Sequence, residues 1–461
     1  MGSKWPLVRL GDFCLKIGSG ATPKGGSNVY DTTGSTYLIR SQNIYNDGFN
    51  TNGLVYISDE AATKLKNVIV QKNDVLLNIT GDSVARVCLA QECFLPARVN
   101  QHVAIIRPNP KDFDPRFLRY YLASPYQQQT LLNLASAGAT RNALTKGMIE
   151  NLEVPKPPLN IQYIIANNLE CFDSKISNNI QINQTLEQMA QSLFKSWFVD
   201  FDPVIDNALE AGNPIPETFQ ERAELRQKIR KSADFKPLST EIRALFPAEF
   251  EETELGWVPK GWKHSSLDKI AHYQNGLALQ KFRPDNETDD FLPVLKIADL
   301  RKGYIAGIEK ARKDIIESCR VHNGDMIFSW SGTLMIDIWT SGDAALNQHL
   351  YKVTSDRYPL SFYLMWTKKH LSRFQHIAAS KAVTMGHIKK RDLSESMCLI
   401  PSKELIKKYD FFANPYIQQS TNIRLQNNSL TQLRDTLLPK LISGELSLDD
   451  LPEAINEAKA A

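Results

Sequence analysis

An internal repeat is the feature that most restricts how this 461-residue chain can fold. The pattern of Trp5–Asp12 returns loosely at Gly261–Asp268, and Lys72–Leu77 returns at His322–Phe328. Further matched blocks follow in the same order: Thr80-Gly81 with Ser331-Gly332, and Asn100-Gln101-His102 with Asn347-Gln348-His349. The spacing of about 250 residues drifts slightly, as expected when loops differ in length. The chain is therefore predicted to contain two homologous modules.

Both modules share one predicted layout. Short β-type runs separated by turn residues are followed by a helical stretch and then by a short strand that ends in proline. In the first module the runs are Tyr37–Ile44, Val68–Ile79, Val87–Leu89 and Val99–Ile106, with the helix at Pro115–Ala135 and the last strand in Ile149–Pro158. The second module has its helix at Pro359–Ala378 and its last strand in Met397–Pro401. The predicted fold class is α+β, with two mixed α/β domains.

Each module is followed by a long stretch with helical periodicity. In Leu159–Phe198 there is no glycine or proline, and apolar residues recur in alternating steps of three and four. The predicted seams are Ile165, Leu169, Phe172, Ile176, Asn179, Asn183, Leu186, Ala190, Leu193 and Trp197, and Phe412, Tyr416, Gln419, Ile423, Gln426, Leu430, Leu433 and Leu437. The amides of both seams are predicted to be buried and to set the register of the pairing.

Two interpretations of these helices remain open. Each could be an ordinary core helix of its own module, but two matched helices behind two matched modules favour pairing with each other. Pro415 after Asn414 fits the first position of a helix, so the main second helix is predicted to begin there.

Between the halves, Asp202–Glu254 is charged and interrupted by prolines. We interpret it as a connector with one exposed helix at Glu217–Ser232 and a solvated charge run.

Composition narrows the functional classes. A net charge of +3 permits nucleic-acid binding without requiring it, and the six scattered cysteines are typical of reduced thiols in a cytoplasmic protein. No apolar run reaches the length of a membrane span. The glycine-rich stretch Gly18–Gly26 lacks the ending of a P-loop and is interpreted as a DNA-contacting or flexible loop. Because nucleotide, metal and catalytic motifs are missing, an enzyme, either a methyltransferase or a nuclease, is disfavoured.

Three sequence motifs allow the chain to be compared with known families. They are Phe194–Pro203 at the end of the first long helix, Leu433–Leu446 at the end of the second, and Leu255–Trp262 before the second module. Together they closely resemble the specificity (S) subunit of type I restriction–modification systems, and the resemblance covers residues 4–446. One departure is the segment Pro401–Leu405, which differs from its counterpart in the first half, Pro157–Gln162, and leaves the start of the second helix uncertain.

The resemblance implies two target-recognition domains joined by two long helices that pair as an antiparallel coiled coil with pseudo-two-fold symmetry. It implies a non-catalytic subunit that binds double-stranded DNA at a bipartite asymmetric target with an unspecified spacer. The partners would be two modification (methyltransferase) subunits that bind S-adenosylmethionine and restriction subunits that use ATP and Mg, with no cofactor on this chain. A two-headed coiled-coil scaffold for a non-DNA partner is the alternative.

The predicted domain boundaries follow the repeat. Residues 1–157 and 255–401 are the target-recognition domains, 158–201 and 402–446 the conserved helices, 202–254 the connector, and 447–461 a C-terminal tail.

Residues that are identical in both modules cannot distinguish two different half-sites. The Asn-Gln-His blocks, Asp74 and Asp325 are therefore predicted to be scaffold, or at most phosphate contacts. Base readers are expected where matched positions differ, with a solvated surface as the alternative for each residue. The DNA-binding candidates are Lys24, Arg40, Ser41, Asn43, Thr80, Ser83, Arg86, Arg98, Thr140, Arg141 and Lys146 in the first module, and Lys296, Asp299, Arg301, Lys302, Ser331, Thr333, Lys381, Thr384, His387 and Lys389 in the second.

A partner surface is predicted at the ends of the two long helices. Apolar residues there extend beyond the seams: Trp197, Phe198 and Phe201 on the first helix, and Leu437, Leu438, Leu441 and Ile442 on the second. Part of this set is expected to bind a modification subunit, with packing inside the chain as the alternative.

Overall fold

The chain divides into two compact units that each contain one module. One unit comprises Met1–Ser177 and Ser429–Ala461, and the other comprises Asn178–Asn428. The structure is a computed structural model and describes residues 4–137, 142–286, 288–380 and 386–446. Both long helices pass from one unit to the other, so each unit contains segments of both helices.

The first unit is built on two sheets. An antiparallel sheet has the strand order Val87–Leu89, Val75–Asn78, Val103–Pro108, Cys14–Ser19, and a mixed sheet has the order Tyr30–Asp31, Val55–Ile57, Thr36–Ile39, Ala97–Val99, Ile69–Val70. Two-stranded pairs join Leu7–Arg9 to Glu153–Pro155 and Ile44–Tyr45 to Gly48–Phe49. The helices are Asp59–Lys64, Pro115–Ala123, Pro125–Ser136 and Lys146–Glu150. Val75–Asn78 is buried throughout, which explains why Val75, Leu76 and Leu77 are apolar without alternation.

The second unit repeats this plan. Its antiparallel sheet has the order His272–Asn275, Leu350–Thr354, Met326–Ser329, Met335–Ile338, and its mixed sheet the order Lys310–Arg312, Phe291–Leu295, Ala344–Leu346, Arg320–Val321. Lys263–Ser266 pairs with Met397–Ile400, and Phe250–Thr253 with Gly256–Pro259. The helices before the last are Asp202–Ala211, Gln220–Arg230, Thr240–Arg243, Leu267–Ile270, Ile297–Lys302, Leu360–Ser380 and Lys390–Ser394. The shared strand order confirms the predicted repeat and the α+β class.

The helical stretch of the first module is split in two. Ser124 accepts a hydrogen bond from Gln127 N, and Pro125 occupies the first helical turn, so a new helix starts at Pro125. The helical stretch predicted over Pro115–Ala135 is therefore confirmed as two helices in the first unit, whereas the second unit has the continuous helix Leu360–Ser380.

The long helices run antiparallel within each unit. In the second unit Trp197 and Phe198 pack on Tyr409, while Asn179 Nδ2 donates to Gln426 Oε1 (3.0 Å) and to Asn427 Oδ1 (2.8 Å). In the first unit Arg434 Nη1 lies 2.7 Å from Asp173 Oδ1, and Ile165 and Leu169 share a core with Leu437 and Leu441. Asn179 and Asn183 are buried as predicted.

Two predictions about the second long helix, its start and its seam, need correction. It spans Lys403–Ser443 without a break, so the predicted start at Pro415 is wrong. Its seam is displaced by about one position before Ile423, because Ala413, Ile417 and Ser420 are buried and Gln419 is exposed, whereas Ile423, Leu433 and Leu437 are buried as predicted. Gln426 is exposed although it accepts the hydrogen bond from Asn179. The helix packs against the domain core as well as the other helix, and this second contact determines which face is buried.

The connector is folded. Arg222 pairs with Asp202 at 2.7 Å, Arg226 with Asp206, and Arg230 and Arg243 with Glu210. The Arg226 and Asp206 side chains are only 15% and 13% exposed. The predicted solvated charge run is therefore wrong for these residues, since helices Asp202–Ala211 and Gln220–Arg230 bind each other through them. The described residues include no helix long and apolar enough to cross a membrane.

Candidate nucleic-acid interface

The repeated Asn-Gln-His block forms the same turn in both units. His102 N donates to Asn100 Oδ1 at 3.2 Å, and His349 N donates to Asn347 Oδ1 at 3.2 Å. Each turn leads directly into the central strand of its antiparallel sheet, Val103–Pro108 or Leu350–Thr354. The turn is thereby fixed to a largely buried strand of its unit.

The histidine rings of both turns are held from two sides. Thr80 Oγ1 lies 2.6 Å from His102 Nδ1, and Ser331 Oγ lies 3.1 Å from His349 Nδ1. The preceding glutamine amide lies 3.0 Å from His102 Nε2 in the first unit and 3.4 Å from His349 Nε2 in the second. Because the amide nitrogen donates to Nε2, the ring proton belongs on Nδ1 and is donated to the hydroxyl oxygen. Gln101 stays exposed beside its ring.

A glycine packs under each turn. A Cβ added to Gly20 would lie 2.1 Å from Val99 O, and one added to Gly276 would lie 2.3 Å from Asn347 O. No larger residue fits such a close backbone approach. Gly18 and Ser19 belong to the strand Cys14–Ser19. The first residues of the predicted loop Gly18–Gly26 are therefore strand, and Gly20 packs under the turn.

The residues around the two turns differ. In the second unit Trp330 Nε1 donates to Asn275 Oδ1 at 3.0 Å, and the indole lies 5.9 Å from the His349 ring and 6.2 Å from the His387 ring. The matched positions in the first unit are Ile79, Ser19 and Ala143, as shown by the equivalent bridges Thr80 to Ala143 and Ser331 to His387. His387 is one of the predicted DNA-binding residues, whereas Trp330 and Asn275 are not. The repeat alone could have pointed to both, because Trp330 directly follows a matched strand, Asn275 ends one, and both positions differ between the repeats.

Several predicted base readers belong to the framework instead. Asn43 is fully buried, accepts from Arg40 N at 3.0 Å and donates to Asn50 O at 2.9 Å. Asp299 is 4% exposed and accepts from Lys296 N at 3.2 Å in the same way. The prediction that this pair reads bases is wrong, since both side chains are used to close one turn of the backbone.

Other predicted residues are held by their own unit. Arg98 donates to Ala62 O and Ala97 O, Ser41 O accepts from Asn78, and Lys296 pairs with Glu309 at 2.6 Å. Arg40 donates to Gly53 O. Thr80 and Ser331 hold the histidines, and Ser331 is only 3% exposed. Asp74 and Asp325 pair with Arg107 and Lys352, which confirms their predicted scaffold role.

The remaining candidates are accessible. Lys24, Lys146, Arg301, Lys302, Thr333 and Lys389 are exposed, and Ser83 and Arg86 are half-buried. Arg86 stacks over the Tyr45 ring at 4.5 Å, and Lys146 pairs with Glu150 at 3.4 Å. Thr140, Arg141, Lys381 and Thr384 lie outside the described residues. For these accessible side chains, contact with DNA remains a prediction.

The predicted partner surface is core. Trp197, Phe198 and Phe201 are at most 5% exposed in the second unit, and Leu437, Leu438, Leu441 and Ile442 are at most 6% exposed in the first. The aromatic trio packs on Phe246, Phe362, Tyr409 and Trp262. These seven side chains are therefore almost completely covered by their own units.

The site offers few groups for covalent or metal chemistry. The described residues contain no group of three or more His, Cys, Asp or Glu side chains that could hold a metal ion. Burial raises the pKa of the Cys14 and Cys88 thiols to about 12. These two thiols are therefore protonated near neutral pH and are poor nucleophiles.

The sequence matches that of one protein family, described as the type I restriction modification DNA specificity domain, over residues 2–188 and 259–429. The type I restriction enzyme HindI specificity subunit of Haemophilus influenzae is 25% identical, covering 96% of this chain and 100% of that protein. The MjaIX specificity subunit of Methanocaldococcus jannaschii is 24% identical, covering 86% of this chain and 82% of that protein.

The fold is also similar to that of a solved structure. The type I restriction-modification system S subunit from M. genitalium aligns with a TM-score of 0.53 at 15% identity, covering 95% of this chain and 96% of that one. The two matched sequence segments contain both repeated modules and most of both long helices. Since the match extends over both halves of the repeat, the chain belongs to the family of type I restriction modification DNA specificity proteins.

Proposed function

We propose that this chain is the specificity subunit of a type I restriction–modification complex and that each unit reads one half of a bipartite asymmetric DNA target. The observation that carries this assignment is the repeated Asn-Gln-His turn, which is identical in both units and surrounded by residues that differ. Two units that recognise different DNA sequences require an identical framework surrounded by residues that differ.

The two classes of residue have different roles on DNA. Gln101 and Gln348 occupy the same place beside their histidines, so they supply contacts that do not depend on sequence. Asn275, Trp330 and His387 can hydrogen-bond or stack against base edges. The first unit presents Ser19, Ile79 and Ala143 instead, and this difference makes the target asymmetric.

Matched cations stand next to both turns. Lys146 and Lys390 are the first residues of the short helices Lys146–Glu150 and Lys390–Ser394, and both are exposed. Each helix follows the residue that bridges to Thr80 or Ser331. These lysines are suited to phosphate contacts that orient the unit on the duplex.

The further partners follow from the family. The chain binds two modification subunits and, in the complete system, restriction subunits in the cytoplasm. It binds no cofactor and catalyses no step itself, whereas S-adenosylmethionine, ATP and Mg belong to the partners. The small net charge of +3 suits a subunit whose partners supply part of the positive surface around the DNA.

Methylation by the assembled modification complex tests the assignment. Asn275→Ala and His387→Ala should each relax the base preference in one half-site only, by about 10- to 100-fold at the affected position. Gln101→Ala and Gln348→Ala should weaken binding to all sequences without changing either half-site. Sequencing of methylated sites in a randomised DNA library measures both effects.

His272→Ala is the matched control, because His272 is an exposed residue of the strand that carries Asn275. It should leave the recognised sequence unchanged. If Asn275→Ala and His387→Ala also left both half-sites unchanged in a folded complex, base reading at this turn would be refuted.

A further inference from the structure

The first unit has an open apolar groove of about 690 Å³. Its walls come from the paired strands Leu7–Arg9 and Glu153–Pro155, the helix Pro125–Ser136 and the end of the second long helix. The lining includes Leu7, Tyr126, Leu134, Pro155, Pro439 and Ile442. Leu7 and Tyr126 are 54% and 57% exposed, which is unusual for large apolar side chains around one cavity.

The matching surface of the second unit is covered by the connector. Leu7 pairs with Pro155 in the first unit, and His264 pairs with Leu399 at the same place in the second. His264 Nε2 lies 3.2 Å from Thr253 Oγ1 of the connector hairpin. Leu399 packs on the core that contains the connector residues Ile242 and Phe246. In the second unit, therefore, a segment of the same chain covers the surface that is open in the first unit.

The two long helices end alike. The first is followed by Phe201, at a φ of +54° with its ring 5.7 Å from Trp262, and the second by Gly444, at a φ of +74° with its Cβ position 2.9 Å from the Trp5 ring. Each left-handed residue lies beside a tryptophan: Trp262 before the strand Lys263–Ser266, and Trp5 before the strand Leu7–Arg9. In the second unit the chain then forms the helix Asp202–Ala211, in which Val204, Ile205 and Ala208 are fully buried.

The sequence after the second helix resembles this covering segment. Counted from the left-handed residues Phe201 and Gly444, the buried Ile205 and Ala208 match Leu448 and Leu451. Ile455 follows Leu451 by four residues. These positions have the three-then-four spacing of one helix face.

We propose that residues 447–461 dock in cis into the groove of the first unit through Leu448, Leu451 and Ile455. The groove lies where the chain leaves the second helix, since Ser443 is part of its lining. A partner subunit that bound both units in the same way would need this surface on both, but it is uncovered only in the first unit. A segment of the same chain is therefore the better occupant.

Hydrogen exchange of the full chain and of a chain ending at Leu446 tests this docking. Truncation should speed exchange of the amides in 125–134 by about tenfold, because the tail no longer shields them. Leu451→Asp in the full chain should act like truncation, whereas Asn456→Asp, off the apolar face, should not. A synthetic peptide of residues 447–461 should restore protection to the truncated chain.

A matched pair of groove variants completes the test. Leu7→Asp should abolish the effect of the peptide, whereas Leu15→Asp should not, since Leu15 is 66% exposed in the same unit but does not line the groove. Unchanged exchange after truncation would overturn the proposal. Protection that requires a modification subunit, or that grows with protein concentration, would assign the groove to another chain and would also overturn it.

Discussion

At the scale of single residues, position in the hydrogen-bond network decides whether a polar side chain is framework or interface. Asn43 and Asp299 differ in type, yet both accept a backbone N–H of their own turn and are buried. Gln101 is identical in both modules and stays exposed. A difference between repeats therefore indicates recognition only where the side chain is not already used by the backbone.

Asn43→Ala should destabilise the first unit by about 1–3 kcal/mol, because the Arg40 N–H and Asn50 carbonyl are left without a partner. Asn43→Asp should cost less, since it keeps the acceptor that Asp299 supplies in the second unit. Urea unfolding of the chain measures both. Gln91→Ala, at an exposed position, is the control, and an equal effect of Gln91→Ala and Asn43→Ala would contradict the framework role.

His322 gives the second unit a pH dependence. Hydrogen bonds to Asp343 (2.8 Å) and Glu317 (2.9 Å) raise the pKa of His322 above its usual 6.5. The stabilisation is complete below the unfolded pKa and is lost as pH rises through the raised folded value. His322→Gln should therefore lower the melting temperature more at about pH 5.5 than at about pH 8.5. The same loss at both pH values would show that the ion pairs contribute nothing.

At the scale of elements, tertiary packing keeps the second long helix continuous although it contains Pro415. Ser402 Oγ accepts from Leu405 N at 3.2 Å and caps the helix start. Leu405, Tyr409, Ala413 and Ile417 are then buried in one core on both sides of Pro415. Burial of these side chains compensates for the backbone hydrogen bond that proline cannot make.

Pro415→Ala should stabilise the chain by about 1–3 kcal/mol, since it restores that hydrogen bond and improves helix propensity. Pro415 is exposed, so the substitution removes little packing. Thermal and urea unfolding provide the measurement, with Gln418→Ala as an exposed control in the same helix. A loss of stability would mean that the proline is required for the path of the helix.

At the scale of the whole molecule, each unit has cores made only of its own residues. The first combines Leu10, Val75 and Leu118 with Leu437 of the second long helix, and the second combines Phe328 and Phe362 with Phe198 of the first long helix. Since the two helices carry segments of both units, each unit remains complete when its module is exchanged for a homologous one.

Replacing residues 4–155 by the corresponding module of another family member should change one half of the recognised sequence and leave the other half unchanged. The reason is that the second unit keeps its turn, Trp330, Asn275 and His387. Methylome sequencing of cells with the intact system reads both halves at once. A change in both halves, with the chimaera folded, would contradict independent recognition by the two units.

The sequence by itself determined the repeat, the α+β class, the two long helices and the family, because these depend on periodicity and on local strings. Only the tertiary structure decided which polar residues are framework, as with Asn43 and Asp299, since their partners are set by the turn they close. It also decided that Phe198 and Leu441 are core and that Trp330 stands beside His349 and His387. Such neighbours come from different strands and loops, so their contacts arise only when the sheets pack and cannot be derived from spacing along the chain.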